Sequence, residues 1–349
     1  GSNEENEAFV YDLQEKSNFP NEHYLDWEPH DTVGSRLYAS VRCDILARAL
    51  EIADDFCATQ DDNKFPGFYI RPLHDGLLFS ATNAHFLETF QATTGVYQMD
   101  TSMDGHLVDR GCMQCLMAAL QLWEGVDPES VDCEIRHVRK TKRHEDGDEW
   151  ELDPILVFDI SGAGVRVVVS TIIRREYCDI VKLLPARDRD GGLVRLRADE
   201  LRAVCDDVVR QSKNKRGMIG FRFIVDRPAG SASVRMATAI RPPGKKGNSI
   251  VAPLVLPHHV SLQGNGPRIE QWNKEQQKYV EAFEDDMTVG VDACYLAAAC
   301  KHLQGREAVL KFHGEMSEIE IMPADGQPDV IYFIGMPVRD SFKEEESVP

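Results

Sequence analysis

Cys112 and Cys115 stand three positions apart in "GCMQCLMAALQLW", a spacing that can serve a metal or a dithiol. No second pair with zinc-ligand spacing follows, and the apolar residues around them repeat with helical period. Packing in a helix core is therefore the expectation for both. The eleven histidines include no H-E-x-x-H, and neither a phosphate-binding glycine loop nor G-x-S-x-G occurs. Without a nucleophile, acid–base or metal cluster, the sequence points away from an enzyme and calls for no cofactor. What remains is charge. "RHVRKTKRH" at 136–144 reads as a basic loop, and Arg197, Arg202 and Arg210 recur along a helical stretch that runs into Lys213, Lys215 and Arg216. Such side chains suit phosphate, although amphipathic helices also carry them simply as solvated faces.

The elements that position these residues recur four times. Each copy is a short strand, an aspartate, an apolar-striped helix and two strands joined by a tight turn. The first runs "LYASVRCDILARALEIADDF" and "GFYIRPLHDGLLFSATN", with Ile45, Ala49, Ile52 and Phe56 on one helical face. The second is "HLVDRGCMQCLMAALQLW" and "ILVFDISGAGVRVVVSTII". The third is "LVRLRADELRAVCDDVVRQS" and "MIGFRFIVDRPAGSASVRMATA", and the fourth "MTVGVDACYLAAACKHL", "AVLKFHGEMSEIEIM" and "VIYFIGMPVRD". Asp44, Asp109, Asp199 and Asp292 each fall at or near a helix start, where a carboxylate can accept from free backbone N–H groups.

Two copies make one domain. The expected organisation is an acidic N-terminal segment at 1–36, domains at 37–188 and 189–340, and a charged tail at 341–349. "CEIRHVRKTKRHEDGDEWELD" reads as an insertion in the first domain. A longer one from "RPPGKKGNS" to "EAFEDD" lies in the second and is expected to hold a helix from about Arg268 to Phe283. A length of 349 residues suits two ordinary domains. With 42% hydrophobic and 28% charged residues, and no apolar run long enough for a membrane span, a soluble cytoplasmic protein is expected. The opening Gly-Ser pair reads as a cloning remnant and no secretory signal follows. Nine scattered cysteines fit reduced, buried thiols. A net charge of −19 excludes a protein that grips nucleic acid with its whole surface, but permits local basic faces.

In this order four stretches resemble the bacterial DNA polymerase III beta subunit, the sliding-clamp family. "LLFSATNAHFLE" is similar to the family's A-T-D-G-H-R-L turn, and "REYCDIVKLLP" to its F-P-[DE]-Y-x-x-[VL]-[LI]-P segment. "TVGVDACYLAAACKHL" resembles the last helix, which opens F-N-x-x-Y-L, and "GMPVR" the C-terminal M-P-[MV]-[RK]. The resemblance covers about residues 37–340. It implies an α+β DNA clamp fold, with strands outside and helices lining a ring.

Family members carry three domains per chain and close as a dimer of six; this chain resembles the second and third. A six-domain ring would then need a homotrimer. The implied function is a processivity factor, non-enzymatic, that encircles duplex DNA and holds a polymerase and clamp loader by short peptide motifs. The alternative is a clamp-like adaptor or decoy that binds replication or transcription proteins without encircling DNA. Carried over by position, the peptide pocket would use Thr82, Ala84, His85, Phe86 and Leu87, then Leu184 and Pro185. It would continue with Met218, Tyr295, Met316 and Glu318, and close with Met336, Pro337, Val338 and Arg339. Two departures stand out: Ala84 replaces the usual glycine and Phe86 the usual arginine. The resemblance also places Arg197, Arg202, Arg210, Lys213, Lys215 and Arg216, with Arg48 and Lys301, on the surface facing DNA. Without the resemblance, "IYFIGMPVRD" reads as a last edge strand with proline where no ladder bond is needed.

Overall fold

The computed structural model describes residues 34–58, 67–127, 130–139, 141–143, 149–151, 154–173, 189–212, 217–240, 249–254, 258–283, 286–314, 317–325 and 330–335. The chain forms two compact units. One comprises Gly1–Ala84, Thr89–Cys178 and Pro328–Val330; the other comprises His85–Glu88, Asp179–Gln327 and Ile331–Pro349.

In the first unit the order is β1 (Ser35–Arg42), α1 (Cys43–Phe56), β2 (Gly67–Leu73), β3 (Gly76–Thr82), β4 (Phe86–Ala92, of which Phe86–Glu88 belong to the second unit), β5 (Val96–Met99) and β6 (His106–Asp109). It continues with α2 (Arg110–Leu120), β7 (Val131–Val138), β8 (Thr141–Arg143), β9 (Glu149–Glu151), β10 (Ile155–Gly162) and β11 (Val165–Ile172). The strands do not pair repeat by repeat. β1, the first strand of the first copy, joins the second copy's strands in the order β11-β10-β7-β1-β5. β6, the first strand of the second copy, pairs with the first copy's hairpin, β2 with β3. Each copy lends its opening strand to the other.

The second unit repeats the exchange. It contains β12 (Gly191–Arg197), α3 (Ala198–Ser212), β13 (Gly217–Asp226), β14 (Ser231–Ile240), β15 (Ser249–Leu254), β16 (His258–Gln263), β17 (Arg268–Asn273), β18 (Lys278–Phe283) and β19 (Asp286–Asp292). α4 (Ala293–His302), β20 (Glu307–Phe312), β21 (Ile319–Pro323) and β22 (Val330–Gly335) complete it. β12 pairs with β20, which continues to β21 and β22, while β19 pairs with β13 in the order β15-β14-β13-β19.

The helices lie where their sequence stripes demand. Ile45, Ala49, Ile52 and Phe56 of α1 are buried, as are Leu201, Cys205 and Val208 of α3. Asp109 accepts from the Cys112 N–H at 2.9 Å and, with its other oxygen, from the Thr171 hydroxyl at 2.7 Å, tying the start of α2 to β11. Asp292 caps α4 by accepting from the Cys294 N–H at 2.9 Å. The other two aspartates act differently. Asp44 takes a two-pronged bond from Arg42, and Asp199 accepts from the Gly305 N–H at 3.1 Å. In the second unit Phe312 packs against Phe221 and Phe223 at 4.9 and 4.8 Å between ring centroids.

Two sequence expectations are corrected. The segment after α2 is not all insertion: Val131–Val138 is β7, a central strand paired with both β1 and β10. Val131, Cys133 and Ile135 are buried, and the intervening charged residues lie on the opposite face, so charge masked a period of two. The basic stretch therefore starts inside a strand, where Arg136 is bonded to Glu134 at 2.6 Å and His137 is buried. The helix expected from Arg268 to Phe283 is a hairpin of β17 and β18. Asn273 turns the chain by accepting from the N–H groups of Glu275 and Gln276 at 3.0 Å each, and Gln277 takes a left-handed φ of 51°. That turn cannot be helix.

His106 and His137 stack in the first unit at 5.3 Å between centroids, with Tyr38 at 5.4 Å from His106. Burial, then the neighbouring His137, pushes the His106 pKa down to about 4. Burial, then Arg139 and Arg36, lowers that of His137. Both rings favour the neutral state when folded, so the unfolded chain binds more protons below its histidine pKa of about 6.5. Stability present above that value is expected to fall as pH drops from about 6.5 towards 4. Thermal melts across that range should show the slope, and His106→Gln should flatten it.

Candidate functional site

Within the second unit, His85 and Phe86 lie against Tyr295 of α4. Ala84, just ahead of them, has a φ of 71°, and its N–H is held by the Thr82 hydroxyl at 3.1 Å. A left-handed alanine is strained where a glycine would not be. Past this turn Phe86 is buried, its ring 5.0 Å from that of half-buried Tyr295 on α4. His85 is exposed and stacks on the same tyrosine at 6.5 Å.

Phe86 also explains the glycine in "IYFIGMPVRD". A Cβ built on Gly335 would lie 2.3 Å from the Phe86 Cζ, so the end of β22 must be glycine to admit the ring. Where the resemblance expects an arginine, the chain has a buried phenylalanine, and Gly335 leaves the space its ring occupies. Of the other expected pocket residues, Thr82, Leu87 and Met218 are buried. Met218 pairs in register with Asp292, beneath the cap of α4. Glu318 is ion-paired with Arg189. Leu184, Pro185, Met316, Met336, Pro337, Val338 and Arg339 lie outside the described residues. The described part of the site is therefore an aromatic set, His85, Phe86 and Tyr295, of which His85 and Tyr295 reach solvent.

Four of the expected DNA-facing cations are already engaged. On α3, Arg202 lies 3.6 Å from Asp206 and Arg210 lies 3.0 Å from Asp207; Arg197, just before the helix, lies 3.8 Å from Asp199. Arg48 of α1 sits over the Phe90 ring at 5.3 Å. Lys301 stands half-buried in the last turn of α4, and Lys213, Lys215 and Arg216 lie outside the described residues. Sequence reasoning counted the arginines and passed over their neighbours. α3 has four acidic residues to two basic, and α1 four to one.

Five buried cysteines are held as thiols. Burial pushes Cys43 and Cys300 up to about 12, and raises Cys112, Cys133 and Cys205 well above the ordinary thiol value. Among the described residues no group of His, Cys, Asp and Glu is arranged to hold a metal, and no helix is long and apolar enough to cross a membrane.

Against solved structures the match is extensive. The DnaN sliding clamp (DNA polymerase III subunit beta) of Bartonella birtlesii, bound to griselimycin, superposes with a TM-score of 0.57 over 93% of this chain and 69% of its own, at 15% identity. The Caulobacter crescentus polymerase III beta gives 0.58 over 90% and 69% at 16% identity. The Thermotoga maritima beta subunit gives 0.56 over 92% and 69% at 14%. This is the bacterial sliding-clamp fold. No protein-family model matches the chain, and a sequence search of curated proteins gave no match. The clamp fold thus persists here with little of the clamps' sequence, and the chain spans about two thirds of the length of these clamps.

Two outcomes follow from this geometry. Gly335→Ala should overpack the Phe86 site and cost about 1–3 kcal/mol in denaturant unfolding. Adding Phe86→Leu should recover part of the loss, because the two positions share one space. Separately, Asp206→Asn with Asp207→Asn should release Arg202 and Arg210. If α3 faces DNA, non-specific duplex affinity should rise and the salt dependence steepen by up to about two phosphate equivalents in titrations at several salt concentrations.

Proposed function

We propose that the protein is a DNA sliding clamp, a non-enzymatic processivity factor that encircles duplex DNA and tethers a polymerase and a clamp loader through their short peptide motifs. The observation that carries this reading is the clamp fold over about nine tenths of the chain. Two clamp-like domains at about 37–188 and 189–340 give a six-domain ring when three chains join head to tail, each turned by a third of a circle. The helices would line the bore, with Arg48, Arg197, Arg202, Arg210, Lys213, Lys215, Arg216 and Lys301 as its cations.

Partner peptides would dock at the aromatic set of His85 and Tyr295, with Leu184, Pro185, Met316 and the terminal Met336, Pro337, Val338 and Arg339 as further contacts. Each buried aliphatic or aromatic anchor of a guest is worth roughly 1.5–3 kcal/mol, so a few of them suit micromolar binding. With Phe86 in place of an arginine, the guest is expected to be more apolar than the peptides read by other clamps.

A second reading has its own support. The acid excess on α1 and α3 works against phosphate and favours a clamp-like adaptor that binds replication or transcription proteins without encircling DNA. Light scattering separates the two: the ring requires a trimer at micromolar concentration, and a stable monomer rules it out. On DNA the ring should be retained on circular and lost from linear molecules, whereas an adaptor is retained on neither. Tyr295→Glu should abolish capture of a polymerase-derived peptide while leaving the oligomer intact.

A further inference from the structure

The two sheets of the first unit are tied together by side chains that the candidate site does not use. His106 lies on β6, the last strand of its sheet, which pairs with β2 from His106 to Asp109. His137 and Tyr38 lie on β7 and β1, neighbours in the other sheet. The two imidazoles stack at 5.3 Å between centroids, and the Tyr38 ring is 5.4 Å from that of His106. The Tyr38 hydroxyl donates to the Ile70 carbonyl of β2 at 2.8 Å and lies 3.0 Å from the Asp104 carbonyl. A cluster of rings thus forms a seam between the sheets.

The seam suits neutral imidazoles. Among the described residues the enclosed His106 Nε2 meets no hydrogen-bond partner. A neutral ring can leave a lone pair idle there, but an imidazolium carries an N–H at both nitrogens, and this one has nothing to receive it. Nearby charge does not compensate. Arg36 and Arg139 bear on His137, Arg71 and Tyr69 on Tyr38, and Asp104 on both His106 and Tyr38. Asp100 is bound to Arg36 at 2.6 Å, and Asp109, at the far end of β6, is committed to the Cys112 N–H and the Thr171 hydroxyl. A protonated pair would hold two positive rings against each other beside two guanidiniums, with Asp104 as the nearby carboxylate. Of the strands involved β6 moves most cheaply: it has four residues and pairs with β2, whereas β7 is held between β1 and β10.

We propose that the Tyr38–His106–His137 cluster is an acid-sensitive seam: when the imidazoles take up protons, β6 parts from β1 and β7, and the first unit opens while the second stays closed. β6 runs straight into α2 through the Asp109 cap, so the opening also loosens that helix.

The test is thiol labelling of the full chain between pH 7 and 4.5 with a pyridyl disulfide, which reacts in acid, each cysteine being read by peptide mass spectrometry. Cys133, on the same buried face of β7 as His137, reports the seam; Cys205 of α3, equally buried, reports the second unit. Rates are taken relative to the same cysteine in the urea-unfolded chain at each pH. Because the open form binds the protons, opening should rise by up to about tenfold per pH unit for each histidine below about pH 6.5. Cys133 should therefore react at least about tenfold faster at pH 4.5 than at pH 7, with Cys205 unchanged. His106→Phe/His137→Phe keeps the rings, cannot titrate and should abolish the rise. Arg36→Gln, a change at the surface, eases protonation of His137 in the closed form and should make the rise smaller. The proposal is overturned if Cys133 stays protected at pH 4.5 or if Cys133 and Cys205 become reactive together. A rise that survives the double phenylalanine substitution, or is undiminished in Arg36→Gln, overturns it equally.

Discussion

The exchange of opening strands within each unit is the constraint on which the rest of the architecture rests. A single strand–helix–hairpin copy has no sheet of its own wide enough to cover its helix. β1 completes the sheet of the second copy and β6 the hairpin of the first, so neither helix is buried until both copies have been made. The same holds for β12 with β20 and β19 with β13. α3 and α4 can pack on a common sheet surface only because their strands are interleaved in this way. The contacts that close each unit are consequently distant in sequence, which makes folding cooperative within the unit and slow to nucleate. The Asp109 carboxylate shows this at one residue: one oxygen starts α2 and the other holds β11, more than sixty residues later.

With the scaffold fixed by strand exchange, the helix surfaces are free to vary, and those of α1 and α3 carry an excess of acid. An exposed arginine with an aspartate three or four positions away is already partly neutralised. The pair itself is worth about 1 kcal/mol or less, so phosphate can compete for the arginine. What it cannot remove is the leftover acid. A surface of this kind does not hold DNA tightly, and any persistence on a duplex must come from enclosure. A ring that slides needs weak contacts, so the charge pattern is compatible with encirclement while also being what a non-DNA adaptor would show.

The sequence was most informative where side chains obey one short period. The four helices and their buried stripes were legible because Ile45, Ala49, Ile52 and Phe56, or Leu201, Cys205 and Val208, repeat at helical spacing. β7 was hidden because Asp132, Glu134 and Arg136 alternate with its buried residues, and a half-buried strand with charges on its open face looks like an insertion. Arg268–Phe283 misled for another reason: its long polar residues are good helix formers, and the deciding features are the Asn273 turn and the left-handed Gln277, which are local backbone chemistry. Strand exchange was not legible at all, since pairing between distant segments leaves no trace in either segment alone. The candidate site divides in the same way. His85, Phe86 and Tyr295 were named from motif position and do meet, but motif position could not say that Phe86 would be buried.

That burial follows from a simple asymmetry between the two side chains a turn can offer here. An arginine at this position would keep its head in water and leave the space beside β22 open, because a buried guanidinium needs partners for its donors. A phenylalanine gains by filling that space, and it can do so only where the neighbouring backbone carries no Cβ. Gly335 meets the condition, and its clash distance of 2.3 Å shows how completely the ring occupies the gap. Phenylalanine at this position therefore contributes packing rather than a polar, solvent-facing group. What the described part of the candidate site presents to solvent is the half-buried Tyr295 with exposed His85 against it.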